Sequence, residues 1–208
     1  VVNNPVDTVE VERRAAEGGD PYRVGQTDGP APARRVELVA VGRHNRKKGF
    51  DLLIETMAQL DDRFRLTIVG DSDGDEDFVS SLDASGLAGR VRLAGLQENP
   101  YRWIRHADVL VLSSRYEGFP NVVLEALACG TPVAAFGGPC ATEEIVREGV
   151  DGFLAEHGKP ESLARAVERT ADAGLDGDEI RRGAGERFGI KPVMETYHRV
   201  LEDVCEKN

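Results

Sequence analysis

Six short apolar runs, several of them closed by glycine and most of them followed by residues at helical spacing, constrain this chain more than any other feature. They are Val36–Val41 before Gly42, Phe64–Val69 before Gly70, Val91–Leu93, Val109–Leu112, Pro132–Phe136 before Gly137-Gly138-Pro139, and Gly152–Leu154. Runs this short and this apolar read as strands buried on both faces. Between them, Phe50, Leu53, Ile54, Met57 and Leu60 recur at a helical period, and shorter helices are expected near 76–87, 100–106 and 143–148. Strands alternating with helices predict βαβ crossovers. The expected fold is therefore α/β, a doubly wound parallel sheet of about six strands with helices on both faces. Ligands in such sheets lie at the carboxyl ends of the strands, so candidate residues are sought there.

The rest of the chain fits around that unit. Residues 1–35 carry scattered proline, glycine and charge without sustained periodicity and read as a linker or hinge, with Asn4-Pro5 as a turn signal. Residues 36–190 form the domain and 191–208 a C-terminal helix. Leu163, Ala166, Val167 and Thr170 make one helical face; Val193, Tyr197, Val200, Leu201 and Val204 make another, and both read as core packing. The 208 residues suffice for one sizeable core, and the opening Val suggests a piece of a longer protein.

The densest stretch runs from Ser113 to Pro132. A helix is expected to start near Pro120, since proline suits a first helical position, and to stop at Gly130 before Pro132. Its body, Val122, Val123, Leu124, Ala126, Leu127, Ala128 and Cys129, is apolar all round and reads as buried. One carboxylate, Glu125, interrupts it. A buried charged Glu needs a cation, a donor network or a ligand. Glu117 stands eight positions earlier, beside Gly118, in the turn that leads from strand to helix. A hydroxyl-rich ligand could bridge the two, and a core Arg partner for Glu125 is the plainer alternative.

The turn after the first strand reads Gly42-Arg43-His44-Asn45-Arg46, not the glycine pattern of a dinucleotide site. It offers Arg43 and Lys48 instead, with Arg46 and Lys47 between them. Cations at a strand end suit a diphosphate, and they stand out in a chain of net charge −11 whose lysines fall only at 47, 48, 159, 191 and 207. That acidic balance argues against a nucleic-acid partner. The acidic run Asp71 to Asp77 fails a calcium-loop count, because Glu76 and Leu82 occupy the required Gly and Glu places. His44, His106, His157 and His198 show no paired spacing, and Cys129, Cys140 and Cys205 no metal-ligand spacing, so no metal is assigned. Ser113 and Ser114 lack a nucleophile elbow.

Gly42-Arg43, Lys48-Gly49-Phe50-Asp51, Val69-Gly70-Asp71, Glu117-Gly118-Phe119-Pro120, Glu125 and Ala128-Cys129-Gly130-Thr131-Pro132, in this order and spacing, resemble the family 4 (group 1) retaining glycosyltransferases of GT-B fold. The resemblance covers nearly the whole chain, with Asn4-Pro5-Val6-Asp7 similar to the hinge into the C-terminal domain. It implies a Rossmann-like donor-binding half of a two-domain enzyme. By that likeness Arg43 and Lys48 hold the donor diphosphate, Glu125 the ribose hydroxyls and Glu117 a sugar hydroxyl. Gly42, Gly70, Asp71, Gly118, Phe119, Pro120 and Asn121 line the donor, and Arg43, Lys48 and Glu117 carry the catalytic roles. Ser72 departs from the pattern, standing where a glycine is common after Gly70-Asp71.

The resemblance further implies transfer of a hexose, with retention and without cofactor or metal, from a nucleotide-sugar donor. A UDP-sugar is the first reading and GDP-mannose the second. The acceptor is a glycan or lipid-linked, reached through the missing N-terminal domain, as in polysaccharide biosynthesis. The isolated domain is expected to be inactive. No signal-like or membrane-spanning stretch is present, so the expected location is cytoplasmic, with peripheral association at the inner face of the membrane. A sugar-nucleotide 2-epimerase and a non-catalytic nucleotide-sugar-binding module are the rival readings; a nicotinamide-dependent dehydrogenase is disfavoured by the missing fingerprint.

Overall fold

The computed structural model describes residues 3–23, 35–71, 76–138 and 141–206. Six parallel strands form one sheet: β1 (Val36–Val41), β2 (Phe64–Val69), β3 (Val91–Gly95), β4 (Val109–Leu112), β5 (Val133–Phe136) and β6 (Gly152–Ala155). Their order is β3-β2-β1-β4-β5-β6, the doubly wound arrangement the alternation predicts. β1 pairs with β2 from Val36↔Phe64 to Val41↔Val69, and with β4 at Leu38↔Val109 and Val39↔Leu110.

The helices are α1 (Thr8–Ala15), α2 (Phe50–Gln59), α3 (Glu76–Ala84), α4 (Tyr101–His106), α5 (Asn121–Cys129), α6 (Thr142–Ile145), α7 (Pro160–Asp172), α8 (Gly177–Phe188) and α9 (Ile190–Glu206). On one face of the sheet Leu38, Leu66 and Ile68 meet Leu53 and Met57 of α2 and Leu163 and Val167 of α7. On the other face Val39, Leu110 and Leu112 meet Trp103 and Ile104 of α4, Leu124 and Leu127 of α5, and Ile180 and Phe188 of α8. Burial on both faces is why the strands are apolar without alternation.

Three sequence expectations change. The stretch read as a linker contains α1, whose start is capped by the Asp7 carboxylate accepting from Glu10 N–H at 3.0 Å. α1 buries only Val11 and Ala15, one turn apart, too small a signal to register as periodicity. The face of α9 is not core: Val193 is buried, but Tyr197, Val200 and Leu201 are exposed, because no described element lies over them. Amphipathic spacing tells which side of a helix is apolar, not what covers it. Pro120 takes the capping position, with φ −78° and ψ 88°, and the helical turns begin at Asn121. The readings of Ser72 and the middle of the acidic run, of residues 24–34, and of Cys140 lie outside the described residues.

Candidate nucleotide-sugar site

β1 and β4 are neighbours in the sheet, and the chain continues from them in opposite directions across it. The crevice at their carboxyl ends is the topological switch point, where open α/β sheets bind ligands. Two loops meet there. After β1, Gly42 leads into a short 3-10 turn, Arg46–Lys48, capped by Asn45, whose side chain accepts from Lys48 N–H at 3.1 Å. Gly49 closes the turn at φ 65°, and a Cβ on it would lie 2.2 Å from the carbonyl oxygen of Ser113. Only glycine fits there, on both conformational and steric grounds. Gly42 and Gly70 stand close for a related reason: a Cβ on Gly70 would lie 1.9 Å from the Gly42 oxygen, and one on Gly42 would lie 2.7 Å from Cε of Lys48.

The loop after β4 is stitched to that turn. Arg115 N–H donates to the Lys47 carbonyl at 2.8 Å, and the Ser113 hydroxyl donates to the Lys48 carbonyl at 2.9 Å. The Arg115 guanidinium forks onto Asp51 at 2.7 and 2.6 Å. These bonds fix the lysines against Glu117. Its Oε1 accepts from Lys48 Nζ at 2.8 Å and from the Ser114 hydroxyl at 3.1 Å, while Oε2 lies 3.1 Å from Lys47 Nζ. Burial opposes the charge on Glu117, but Lys48, then Lys47 and Ser114, outweigh it and hold the carboxyl below its usual range.

Glu125 lies on α5, one face turned to a cavity of about 150 Å³ whose lining includes Asp7, Glu10 and Asn121 as well as Val6, Tyr101 and Leu124. Its carboxylate makes no hydrogen bond or ion pair among the described residues, so the core Arg partner is not what the structure holds. Burial pushes the carboxyl above its usual range; Lys48 and Arg14 act on it through charge alone and pull the other way. Its oxygens are thus left as acceptors. On the same helix the Cys129 thiol is buried and pushed up to about 12, first by burial, which leaves it inert.

The structure brings Lys48, Glu117 and Glu125 together electrostatically. Gly118 is exposed, with open space where a Cβ would stand; Phe119 is half-buried, Pro120 buried and Asn121 exposed. Asn121 accepts from Asn4 at 3.0 Å, tying the segment before α1 to the start of α5. Asp71 receives His44 N–H on its carbonyl at 2.9 Å. Arg43 is exposed and makes no hydrogen bond or ion pair among the described residues, so it does not join the cluster in the free protein. Sequence reasoning missed the Lys47–Glu117 pair and the Arg115–Asp51 fork, because pairing between segments so far apart in the chain leaves no local pattern. Among the described residues no group of three or more His, Cys, Asp or Glu is placed to hold a metal ion, and no helix is long and apolar enough to cross a membrane.

An open parallel sheet with lysines and carboxylates gathered at its switch point defines the class as a doubly wound α/β domain, a fold in which that crevice is where ligands bind. The family pattern "Glycosyl transferases group 1" matches residues 35–173, and the chain belongs to that family. It is 35% identical over 176 residues to the lipopolysaccharide core biosynthesis glycosyltransferase LpsE of Rhizobium meliloti, covering 82% of this chain and 51% of that protein. It is also 35% identical over 184 residues to a D-inositol 3-phosphate glycosyltransferase of Streptomyces griseus, covering 76% of this chain and 38% of the relative. Among solved structures, Anabaena HepE in complex with UDP superposes with a TM-score of 0.72 at 26% identity, covering 82% of this chain and 50% of HepE. A glycosyltransferase from Rickettsia africae ESF-5 shares the fold, with a TM-score of 0.80 at 17% identity over 100% of this chain and 57% of its own. The chain thus spans about half the length, or less, of the relatives it matches.

Proposed function

We propose that this chain is the donor-binding, C-terminal half of a retaining glycosyltransferase that moves a hexose from a nucleoside-diphosphate sugar to a glycan or lipid-linked acceptor. The observation that carries the reading is the Lys48 ammonium, hydrogen-bonded to Glu117 and acting on Glu125, at the β1/β4 switch point. In that reading the diphosphate takes Lys48 and draws in Arg43, whose free guanidinium can fork onto phosphate oxygens. As the bond from the sugar's anomeric carbon to the diphosphate breaks, negative charge grows on the leaving phosphate, and these two cations stabilise it. Glu125, with acceptor oxygens unused, takes the ribose hydroxyls; Glu117 takes a hydroxyl of the sugar. Gly42, Gly70 and Gly118 let backbone and ligand approach closely.

UDP-sugar is the favoured donor, since HepE, at 26% identity, was crystallised with UDP and with UDP-glucose. GDP-mannose is second. The acceptor site belongs to chain outside this sequence, so this half alone is expected to bind donor without turning it over. The whole enzyme is proposed to act without a metal, in the cytoplasm or at the inner face of its membrane. The test is thermal unfolding with UDP, GDP, ADP and NAD in turn. A ligand at a hundred times its dissociation constant adds about 2.7 kcal/mol, a rise of roughly 5–10 °C for a domain of this size. A rise with one nucleoside diphosphate, lost in Glu125→Ala, is the expected result; a response to NAD alone overturns the reading.

A further inference from the structure

Two adjacent lysines sit in the turn after β1, and only Lys48 has a place in the donor reading. Lys47 is nevertheless held in position. Its carbonyl accepts from Arg115 N–H at 2.8 Å, its ammonium lies 3.1 Å from Glu117 Oε2, and the same ammonium stands 5.5 Å over the ring of Tyr116. One carboxylate, with its side chain only 9% exposed, therefore holds two cations, one on each oxygen.

A diphosphate at the switch point competes with Glu117 for Lys48. If Lys48 were the sole partner, its departure would leave an enclosed carboxylate with no cation, which is strongly disfavoured. Glu117 would then retain Lys48 and oppose the ligand. We infer that Lys47 is a positioning residue: it holds the Glu117 carboxylate in place so that Lys48 can turn to the donor diphosphate. The inference rests on the donor reading proposed above. It also accounts for the division of the two oxygens. Oε2 keeps Lys47, while Oε1, relieved of Lys48 and still bonded to the Ser114 hydroxyl at 3.1 Å, becomes the acceptor open to a sugar hydroxyl. Lys47 suits the stationary role. It is more exposed than Lys48, at 39% against 20%, so its pairing with Glu117 leaves part of its hydration intact, and the Tyr116 ring confines it further.

The test is calorimetric binding of UDP to wild type, Lys47→Met, Glu117→Gln and the double variant, with unfolding midpoints measured alongside. UDP has no sugar, so loss of the Glu117 sugar contact does not enter. Lys47→Met is expected to weaken UDP about tenfold, or 1.4 kcal/mol, and Lys47→Arg to restore it. Glu117→Gln is expected to bind UDP at least as tightly as wild type, because Lys48 is released. In that background Lys47→Met should change the dissociation constant less than twofold. An equal loss in both backgrounds would mean that Lys47 touches the phosphate itself and would overturn the inference. So would an unchanged constant in Lys47→Met while wild type binds UDP. Wild type that binds no nucleoside diphosphate overturns the donor reading, and this inference with it.

Discussion

Replacing Glu125 by glutamine asks whether the carboxylate proposed to hold the donor burdens the domain that carries it. Gln has nearly the same shape and lacks the charge. In the free protein Glu125 is half-buried, without a hydrogen bond or ion pair among the described residues, and the charges of Lys48 and Arg14 reach it only at a distance. Mutational data put the burial of an uncompensated polar group at about 1–3 kcal/mol. The two cations offset part of that, so Glu125→Gln should stabilise the free domain by about 1 kcal/mol at pH 7, a rise of roughly 2–4 °C for this size. The pH dependence follows from the direction of the shift. The folded-state carboxyl is raised above its unfolded value, so its contribution to stability is fully present below the unfolded value of about 4.3 and is lost as pH rises through the folded value. Urea unfolding of both proteins should therefore show a gap that is widest at pH 7.5 and narrows towards pH 5. The same substitution exchanges a charged for a neutral acceptor, a difference of about 1 kcal/mol, so UDP should bind roughly five- to tenfold more weakly. A variant less stable than wild type at pH 7, or a gap that does not change with pH, would refute the reasoning and show that Lys48 and Arg14 hold Glu125 favourably.

Two further substitutions address the scaffold. Gly49→Ala adds a left-handed residue, at about 1–2 kcal/mol, to a clash with the Ser113 carbonyl that costs about 1–3 kcal/mol more; urea unfolding should show a loss of roughly 2–5 kcal/mol, and a loss below about 1 would mean the turn after β1 relaxes freely. Asp151 is fully buried and takes Arg147 at 2.9 and 2.7 Å and Arg187 at 3.1 Å, so Asp151→Ala, which takes the shared anion from two partly solvated guanidiniums, should lower stability by about 1.5–3 kcal/mol, the range for hydrogen bonds to charged groups. An unfolding midpoint within a degree or two of wild type would show that the carbonyls of Glu144 and Ile145, which also accept from Arg187, suffice to hold this corner.

How far the sequence could be read depends on how local each signal is. Val109–Leu112 and Val133–Phe136 announce themselves because strands buried on both faces need every residue apolar. α5 does so because Gly130 ends it at φ 79° and its body has no polar side except Glu125. Lys48 and Glu117 were singled out from the loops that follow two strand ends, and Glu125 as the one carboxylate in an otherwise apolar helix. α1 was not, since two buried residues in eight are no pattern, and Val9 on the same helix is 76% exposed. The Lys47 pair was not, since nothing in Arg46-Lys47-Lys48 distinguishes a solvated cation from one held by a carboxylate brought over from another loop. Tyr197 and Leu201 carried the opposite difficulty: their spacing is regular, yet regularity says nothing about the neighbour.

α5 has consequences for how such a domain changes partners over evolutionary time. It is flanked by α1, α4 and α8, and every residue from Val123 to Cys129 except Glu125 is buried. A helix packed on so many sides behaves as a fixed jig: Glu125 is presented at one place whatever arrives. Moving it by even a fraction of a turn would disturb three neighbours at once. In the proposed donor reading, selection for a new donor is therefore channelled into the loops that surround the crevice, where Gly118 has open space about it. Swapping those segments between relatives, with α5 untouched, is the economical route to altered donor choice.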